Sequence, residues 1–292
     1  MKRMLDLETM NSGPAPGVSM PTLLAITAHP DDETLCSGVL AMAAARGWRV
    51  ALACATRGEA GEIAGDALAT VETLGAVREE ELRCACAQLG FEELFFLGYC
   101  DSGMAGTPLN DRPTSFTRAD PETVVRQLVS LMRELRPQSV ITFEPFGIYG
   151  HPDHIAISRY ATEAFDRAAD AEAFADSGRP WQPQTLYYGA LPLSWIERIG
   201  ERMVRAGLGT SGIEEMFEQI KGPAEAVAAQ ITHEVDVSAY VPRKTASLAC
   251  HRTQLTDHAL LTHLKKPMMA DIIAREFYIE ARNKNGADQR LF

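Results

Sequence analysis

Two short segments of the chain set histidine beside carboxylates. One is His29-Pro30-Asp31-Asp32-Glu33, the other Tyr149-Gly150-His151-Pro152-Asp153-His154. The tripeptide His-Pro-Asp therefore occurs twice. Adjacent acids at a helix start cap it and favour its dipole, but a cap needs no histidine. Imidazole and carboxylate together are the donor set of a catalytic zinc site, in which three protein ligands leave one position for water. A divalent metal there lowers the pKa of water to about 7 and polarises a carbonyl. His29 and Asp32 are three residues apart across a turn, so they can converge on one point. Asp31, between them, then points elsewhere and is free to act as a general base, with a histidine of the second turn stabilising an oxyanion. Spacing alone leaves open which of His151 and His154 binds metal. By analogy with His29-x-x-Asp32, the fourth residue of the second turn, His154, is favoured.

These turns need rigid elements beneath them. Leu23–Ala28 is a continuous apolar run, the pattern of a strand buried on both faces. Thr34–Arg46 is Ala- and Leu-rich and ends at Gly47, so it reads as a helix, and Arg49–Thr56 as a second strand. The alternation continues with a helix over Val71–Leu89, a strand over Glu93–Gly98, a helix to Arg136 opened by Asp120-Pro121, a strand over Ser139–Glu144 and a helix over Pro152–Ala169. A strand over Gln184–Ala190 follows. Such alternation predicts an open α/β sheet, mostly parallel, with helices on both faces. Each His-Pro-Asp then sits at a strand-to-helix turn over the same sheet edge. The long Gly-bearing loops 57–70 and 99–119 also follow strands, where open sheets bind ligands. Beyond Pro192 the pattern loosens into a C-terminal α+β region, with helices expected over Ser194–Ala206, Ile213–Lys221, Pro242–Thr253 and Met268–Phe277 and a strand near Thr232–Val237. The division expected is a mobile tail over 1–19 and a single catalytic domain over 20–292, with a core of about 22–190 and a C-terminal lobe of about 191–292.

Composition excludes several classes. The 292 residues carry 28 Lys and Arg against 39 Asp and Glu, a net charge of −11, which disfavours nucleic-acid and anionic-membrane partners. No apolar run is long enough for a membrane span and residues 1–19 lack an apolar signal region. Cys36, Cys54, Cys84, Cys86, Cys100 and Cys250 form no Cys-x-x-Cys pair and mostly lie in apolar runs, the usage of a reduced, cytoplasmic protein. The slot after the first strand holds His-Pro-Asp-Asp rather than Gly-x-Gly-x-x-Gly, which disfavours a dinucleotide, and there is no Gly-x-Ser-x-Gly elbow.

Ala28-His29-Pro30-Asp31-Asp32-Glu33 followed by His151-Pro152-Asp153-His154 resembles the LmbE/PIG-L family of metal-dependent N-deacetylases over roughly residues 22–160. The resemblance implies a Rossmann-like fold, zinc as the usual metal, and hydrolysis of an N-acyl group on an amino sugar. It assigns the metal to His29, Asp32 and His154, the general base to Asp31 and the oxyanion contact to His151, with Asp153 as its orienting partner. Tyr149 matches a mobile tyrosine of the mycothiol-pathway deacetylases. The loop from Gly98 to Gly106 resembles theirs, which implies that Asp101 contacts substrate, although an aspartate before Ser-Gly also suits a turn. Thr56-Arg57-Gly58-Glu59 resembles the family's Thr-x-Gly-Glu loop, and Arg57 would suit sugar hydroxyls or a phosphate, or lie in solvent. His251-Arg252-Thr253-Gln254 is similar to a C-terminal His-x-Ser-Gln segment and stays outside the catalytic set. The stretch Arg78–Arg83 resembles an Arg–Glu stretch that often supports the site in this family, although it reads by default as a solvated helix face.

The expected activity is removal of acetate from a small N-acetylglucosaminide of GlcNAc-inositol or GlcNAc-malate type. Amide cleavage of a thiol S-conjugate is the rival within the enzyme class, and a non-catalytic sugar-binding protein the rival outside it. The donor set suits iron(II) as well as Zn2+. Family resemblance leaves a homo-oligomer open.

Overall fold

A computed structural model describes residues 20–65, 67–207, 221–256, 260–264 and 266–284. The expected tail over 1–19 and nearly all of the expected helix Ile213–Lys221 lie outside them. Seven strands form one sheet: β1 Thr22–Thr27, β2 Arg49–Thr56, β3 Glu93–Tyr99, β4 Ser139–Phe143, β5 Thr185–Ala190, β6 His233–Asp236 and β7 Arg275–Asn283. Their order is β3-β2-β1-β4-β5-β7-β6. The first five are parallel, while β7 runs antiparallel to both β5 and β6. The sheet thus grows outward in two directions from the β1–β4 pair, whose register sets Leu23 opposite Ser139 and Ala25 opposite Ile141. That reversal of strand order opens a crevice at the carboxyl ends of β1 and β4.

Among the described residues, the helices that flank the sheet include α1 Ser37–Ala45, α2 Leu74–Leu89, α3 Pro121–Leu135, α4 Pro152–Arg167, α5 Leu193–Arg205 and α6 Val241–Leu248. The period-2 geometry of a strand divides β1 between two cores. Leu24 and Ile26 pack with Val124, Leu128 and Ile157 of α3 and α4. Leu23 and Ala25 pack with Val39, Leu40 and Leu82 of α1 and α2. A third cluster joins Trp195 and Ile196 of α5 to Leu248 of α6 and to Leu264 and Ile273. Helix ends follow local chemistry. Asp120 caps α3 by accepting from Thr123 N at 3.0 Å, and Gly90 ends α2 at φ +97°. No helix among the described residues is long and apolar enough to cross a membrane.

Two expectations are corrected. The helix expected over Met268–Phe277 is only short turns to Ile273, after which Arg275 begins β7. Phe277 and Tyr278 pair with Ala190 and Gly189 of β5, so a long-range ladder overrides the local pattern. The six cysteines are not all thiols: Cys84 on α2 and Cys250, just past α6, form a disulfide across 166 residues. No spacing rule announces it, because it exists only through the packing of α2 against α6. Cys84→Ser is expected to lower unfolding stability by about 2–4 kcal/mol. Denaturant titration without reductant measures this, and an unchanged midpoint would show the bridge unformed in solution.

Candidate active site

The turn after β1 is built around one carboxylate. Asp32 Oδ2 accepts from the backbone N–H of Ala28 at 3.1 Å and of His29 at 2.6 Å. That closes the turn and aims the side chain back at His29. Asp31 is forced to φ +94°, a left-handed conformation rare for a side-chain-bearing residue. Such strain, on the order of 1–3 kcal/mol, persists where surrounding contacts over-determine it. Here Asp31 N donates to Glu33 Oε2 at 3.0 Å, and Arg78 Nη2 donates to Pro30 O at 2.5 Å.

The turn after β4 delivers the second set. Glu144 accepts from Phe146 N at 2.6 Å and from Ile148 N at 2.5 Å, pinning a segment in which Ile148 is held at φ +66°. Gly147, at φ +74°, has no room for a Cβ, which would meet His154 Cβ at 2.8 Å. His151 caps α4, its Nδ1 accepting from Asp153 N at 3.1 Å. One turn into that helix, the ring of His154 stacks on Phe143 with centroids 4.1 Å apart.

The two turns meet at a triangle of donor atoms. His29 Nδ1 lies 3.2 Å from His154 Nε2. His154 Nε2 lies 3.1 Å from Asp32 Oδ1, and His29 Nδ1 lies 3.4 Å from Asp32 Oδ2. The far ring nitrogens settle the tautomers. His29 Nε2 faces Asp153 Oδ2 at 3.1 Å and His154 Nδ1 faces the carbonyl of Gly147 at 3.2 Å, so each carries its hydrogen there. In the neutral rings the two remaining lone pairs then point at each other across 3.2 Å, beside a carboxylate. A cation resolves that repulsion. Ligands held about 2.0–2.2 Å from a tetrahedral ion stand about 3.3–3.6 Å apart, close to the separations found. The residues present fit a metal ion. His29, Asp101 and Asp153 also gather within 4.8 Å, and so does His151 with His29 and His154. The hydrogen on His29 Nε2 makes the first of these groups hydrogen-bond partners, and the capping bond occupies Nδ1 of His151.

Charge in the cluster follows from burial and neighbours. Burial opposes a proton on His29, yet contacts with Asp101, Asp153 and Asp32 outweigh it and hold its pKa well above the ordinary value. The same carboxylates would favour a metal ion. Burial works against ionisation of Asp32, but His154 and His29 outweigh it and hold its pKa well below the usual range. Burial and the neighbouring His29 and His154 push His151 down to about 4, so it stays neutral near pH 7. Burial raises Asp31 to about 6 against the opposing pull of Arg78.

The other expected site residues take the following places. The carboxylate of Asp153 serves His29 and Ser102 N, at 3.1 and 2.9 Å, and only its backbone N–H touches His151. Asp101 accepts from Gly103 N at 2.8 Å and Ala60 N at 3.3 Å and stands 3.6 Å from His29 Nε2, so it shapes the loop beside the cluster. Tyr149 lies beside His154, ring centroids 5.1 Å apart, and is 37% exposed. Arg57 turns its guanidinium to Glu79 at 3.1 Å, on the outer face of α2.

The arginine that does reach the cluster is Arg78, one of the residues read as a solvated face. It is 3% exposed and reaches Asp31 Oδ2 at 3.2 Å and Gly58 O at 2.6 Å. A Cβ on Gly58 would sit 2.3 Å from its Nη1, so the loop glycine makes way for it. Glu81 is buried too and binds Thr253 through both backbone N–H and hydroxyl, at 2.8 and 2.6 Å. His251 Nε2 meets Glu33 Oε1 at 2.6 Å, both side chains fully buried. The resemblance of both segments to family patterns was the only sequence signal for these contacts.

A family model described as "PIG-L: GlcNAc-PI de-N-acetylase" matches residues 24–165. The chain is 38% identical over 266 residues to the 1D-myo-inositol 2-acetamido-2-deoxy-alpha-D-glucopyranoside deacetylase of Thermobispora bispora, covering 88% of this chain and 86% of that protein. It is 37% identical over 267 residues to the protein of the same name from Thermobifida fusca, covering 88% and 91%. Among solved structures it is similar to N,N'-diacetylchitobiose deacetylase from Pyrococcus horikoshii, with TM-score 0.57, 17% identity, and coverage of 84% of this chain and 73% of that one. It is also similar to the 4-carboxy-2-hydroxymuconate hydratase of Pseudomonas putida, with TM-score 0.61, 19% identity, and coverage of 93% and 100%. At such identities these structures share the fold alone.

Removing the carboxylate that holds the His29 tautomer is expected to weaken the ion site without touching a ligand. Asp153→Asn should lower divalent-metal affinity about 10–100-fold, as read by competition with a chromogenic chelator. Wild-type affinity in that variant would show that Asp153 does not orient His29.

Proposed function

Since the chain belongs to the PIG-L family of de-N-acetylases, we propose that it hydrolyses the acetamide of 1D-myo-inositol 2-acetamido-2-deoxy-α-D-glucopyranoside to acetate and the free amine. The observation that carries this reading is the buried triangle of His29, Asp32 and His154 with Asp31 beside it. Relatives of that name cover most of the chain and supply the substrate. A divalent ion held by His29, Asp32 and His154, zinc by its donor set, would lower the pKa of a water and polarise the amide carbonyl.

The remaining work falls to side chains. Asp31 takes the proton of the attacking water. Its Oδ2 is tethered by Arg78, which leaves Oδ1 for that proton and fixes the carboxylate in its strained turn. His151 offers an N–H at Nε2, because its Nδ1 is an acceptor in the α4 cap, and donates it to the oxyanion as the tetrahedral carbon forms. Tyr149, at the exposed rim, is placed to add a second donor. Collapse breaks the C–N bond, and the proton held by Asp31 passes to the leaving amine.

Asp31→Asn is expected to cut acetate release from the GlcNAc-inositol substrate about 10²–10⁴-fold while leaving metal content near wild type. Full turnover in that variant would remove Asp31 as the base. Chelation should abolish acetate release, and Zn2+ or iron(II) added anaerobically should restore it. Activity surviving complete metal removal would overturn the metal-dependent reading.

A further inference from the structure

Beside the triangle lies a cavity of about 300 Å³, far more than the methyl of the proposed acetamide needs. Asp31, Asp32, Tyr149 and His154 of the site are among the residues that line it. The rest of its lining is largely apolar and includes Leu35, Leu191, Trp195, Ile196, Leu248 and Phe277. An acetyl methyl fills one group's worth of space, whereas the cavity has room for on the order of ten groups the size of a water molecule.

The charged side chains on its wall are already partnered. Lys244 Nζ pairs with Glu276, whose carboxylate also accepts from Gly38 N and Val39 N at 2.7 and 2.9 Å. Arg275 pairs with Asp236 at 2.9 Å. The wall therefore asks for an apolar occupant. Its direction says which. His151, Asp153 and Asp101, the polar groups flanking the triangle, are not among the lining residues. A carbonyl carbon beside the triangle thus has a polar side, which suits the sugar nitrogen, and an apolar side, which suits the substituent on its other bond.

We propose that this recess is an N-acyl pocket, and that the enzyme accepts amino sugars whose amide carries a saturated acyl chain of several carbons as well as acetate. The inference rests on the amidohydrolase reading above and deepens it. The chemistry is unchanged: water gives its hydroxyl to the acyl carbon, the amide C–N bond breaks, the amine takes the proton, and the products are the free amino sugar and a fatty acid.

The test is a series of N-acyl glucosaminides of one aglycone, from acetyl to octanoyl, with the octyl glycoside of N-acetylglucosamine as the opposite arm. Wild-type kcat/KM is expected to rise about threefold to fourfold per methylene until the recess is full. The octyl aglycone should bring no such gain. A tenfold fall by butyryl, or a gain confined to the octyl glycoside, would overturn the proposal while leaving deacetylation intact. Leu248→Trp and Ile196→Trp, which narrow the recess, should each lower the octanoyl-to-acetyl ratio of kcat/KM at least tenfold. An unchanged ratio in a folded variant counts against the pocket. Should neither variant fold, product inhibition of the wild-type enzyme decides: octanoate should inhibit at concentrations at least tenfold below acetate, and equal inhibition would overturn the assignment. Absence of hydrolysis of any member would instead bring down the amidohydrolase reading, and quenching of Trp195 by octanoate, lost in Trp195→Phe, would then judge the recess alone.

Discussion

Two imidazole lone pairs aimed at one point, next to a buried carboxylate, are the constraint from which the rest of the site follows. Left to themselves they repel. They tolerate each other only around a positive charge. Every neighbour enforces the arrangement rather than relieving it. Asp153 claims the far nitrogen of His29, the Gly147 carbonyl claims that of His154, and the backbone N–H groups of Ala28 and His29 hold Asp32. The sheet supplies the setting. β1 and β4 are adjacent and parallel, and the chain leaves them toward opposite flanks. Turns far apart in sequence are thereby delivered side by side, with a crevice between them that no helix can cover.

Further residues reach this centre through Asp31. Arg78 comes up from α2 to Asp31, and Glu33 holds the Asp31 amide while pairing with His251 from beyond α6. Glu81, one turn from Arg78, grips Thr253. The disulfide between Cys84 and Cys250 ties the same two segments covalently. Helix α2 and the segment after α6 thus behave as one brace, and the strained φ of Asp31 is what the brace supports. The left-handed conformation of Asp31 costs free energy, and the hydrogen bonds from Arg78 and to Glu33 hold it in place.

What the sequence made legible is what depends on neighbours in the chain. The convergence of His29, Asp32 and His154 could be read because each sits in a turn whose geometry is set within a few residues. Strands Arg49–Thr56 and Ser139–Phe143 could be placed because burial on both faces leaves an unbroken apolar run. What was illegible depends on partners far away. Arg78 and Arg83 lie on one helix in a single charged stretch, yet one is buried and the other exposed, and only the 57–61 loop folding over α2 separates them. β7 was hidden because its apolar residues serve a ladder with β5 that no local period reveals. The division of labour at Asp153, carboxylate to one histidine and amide to another, is a matter of side-chain direction that spacing does not encode.

The C-terminal segments make the site asymmetric, and that asymmetry is what distinguishes this chain from the bare fold. A deacetylase and a hydratase share the architecture, so the sheet by itself names no reaction. The turns after β1 and β4 supply the triangle of His29, Asp32 and His154 and the neighbouring carboxylate of Asp31. Loops after β2 and β3 supply one polar flank through Ala60, Asp101 and Ser102. The third apolar cluster, from α5, α6 and the turns before β7, supplies the opposite flank. An amide bond is itself asymmetric, with a polar sugar on its nitrogen and a hydrocarbon on its carbonyl carbon. A site with one wet wall and one dry wall orients that bond without any contact to the reacting atoms, and it does so before chemistry begins.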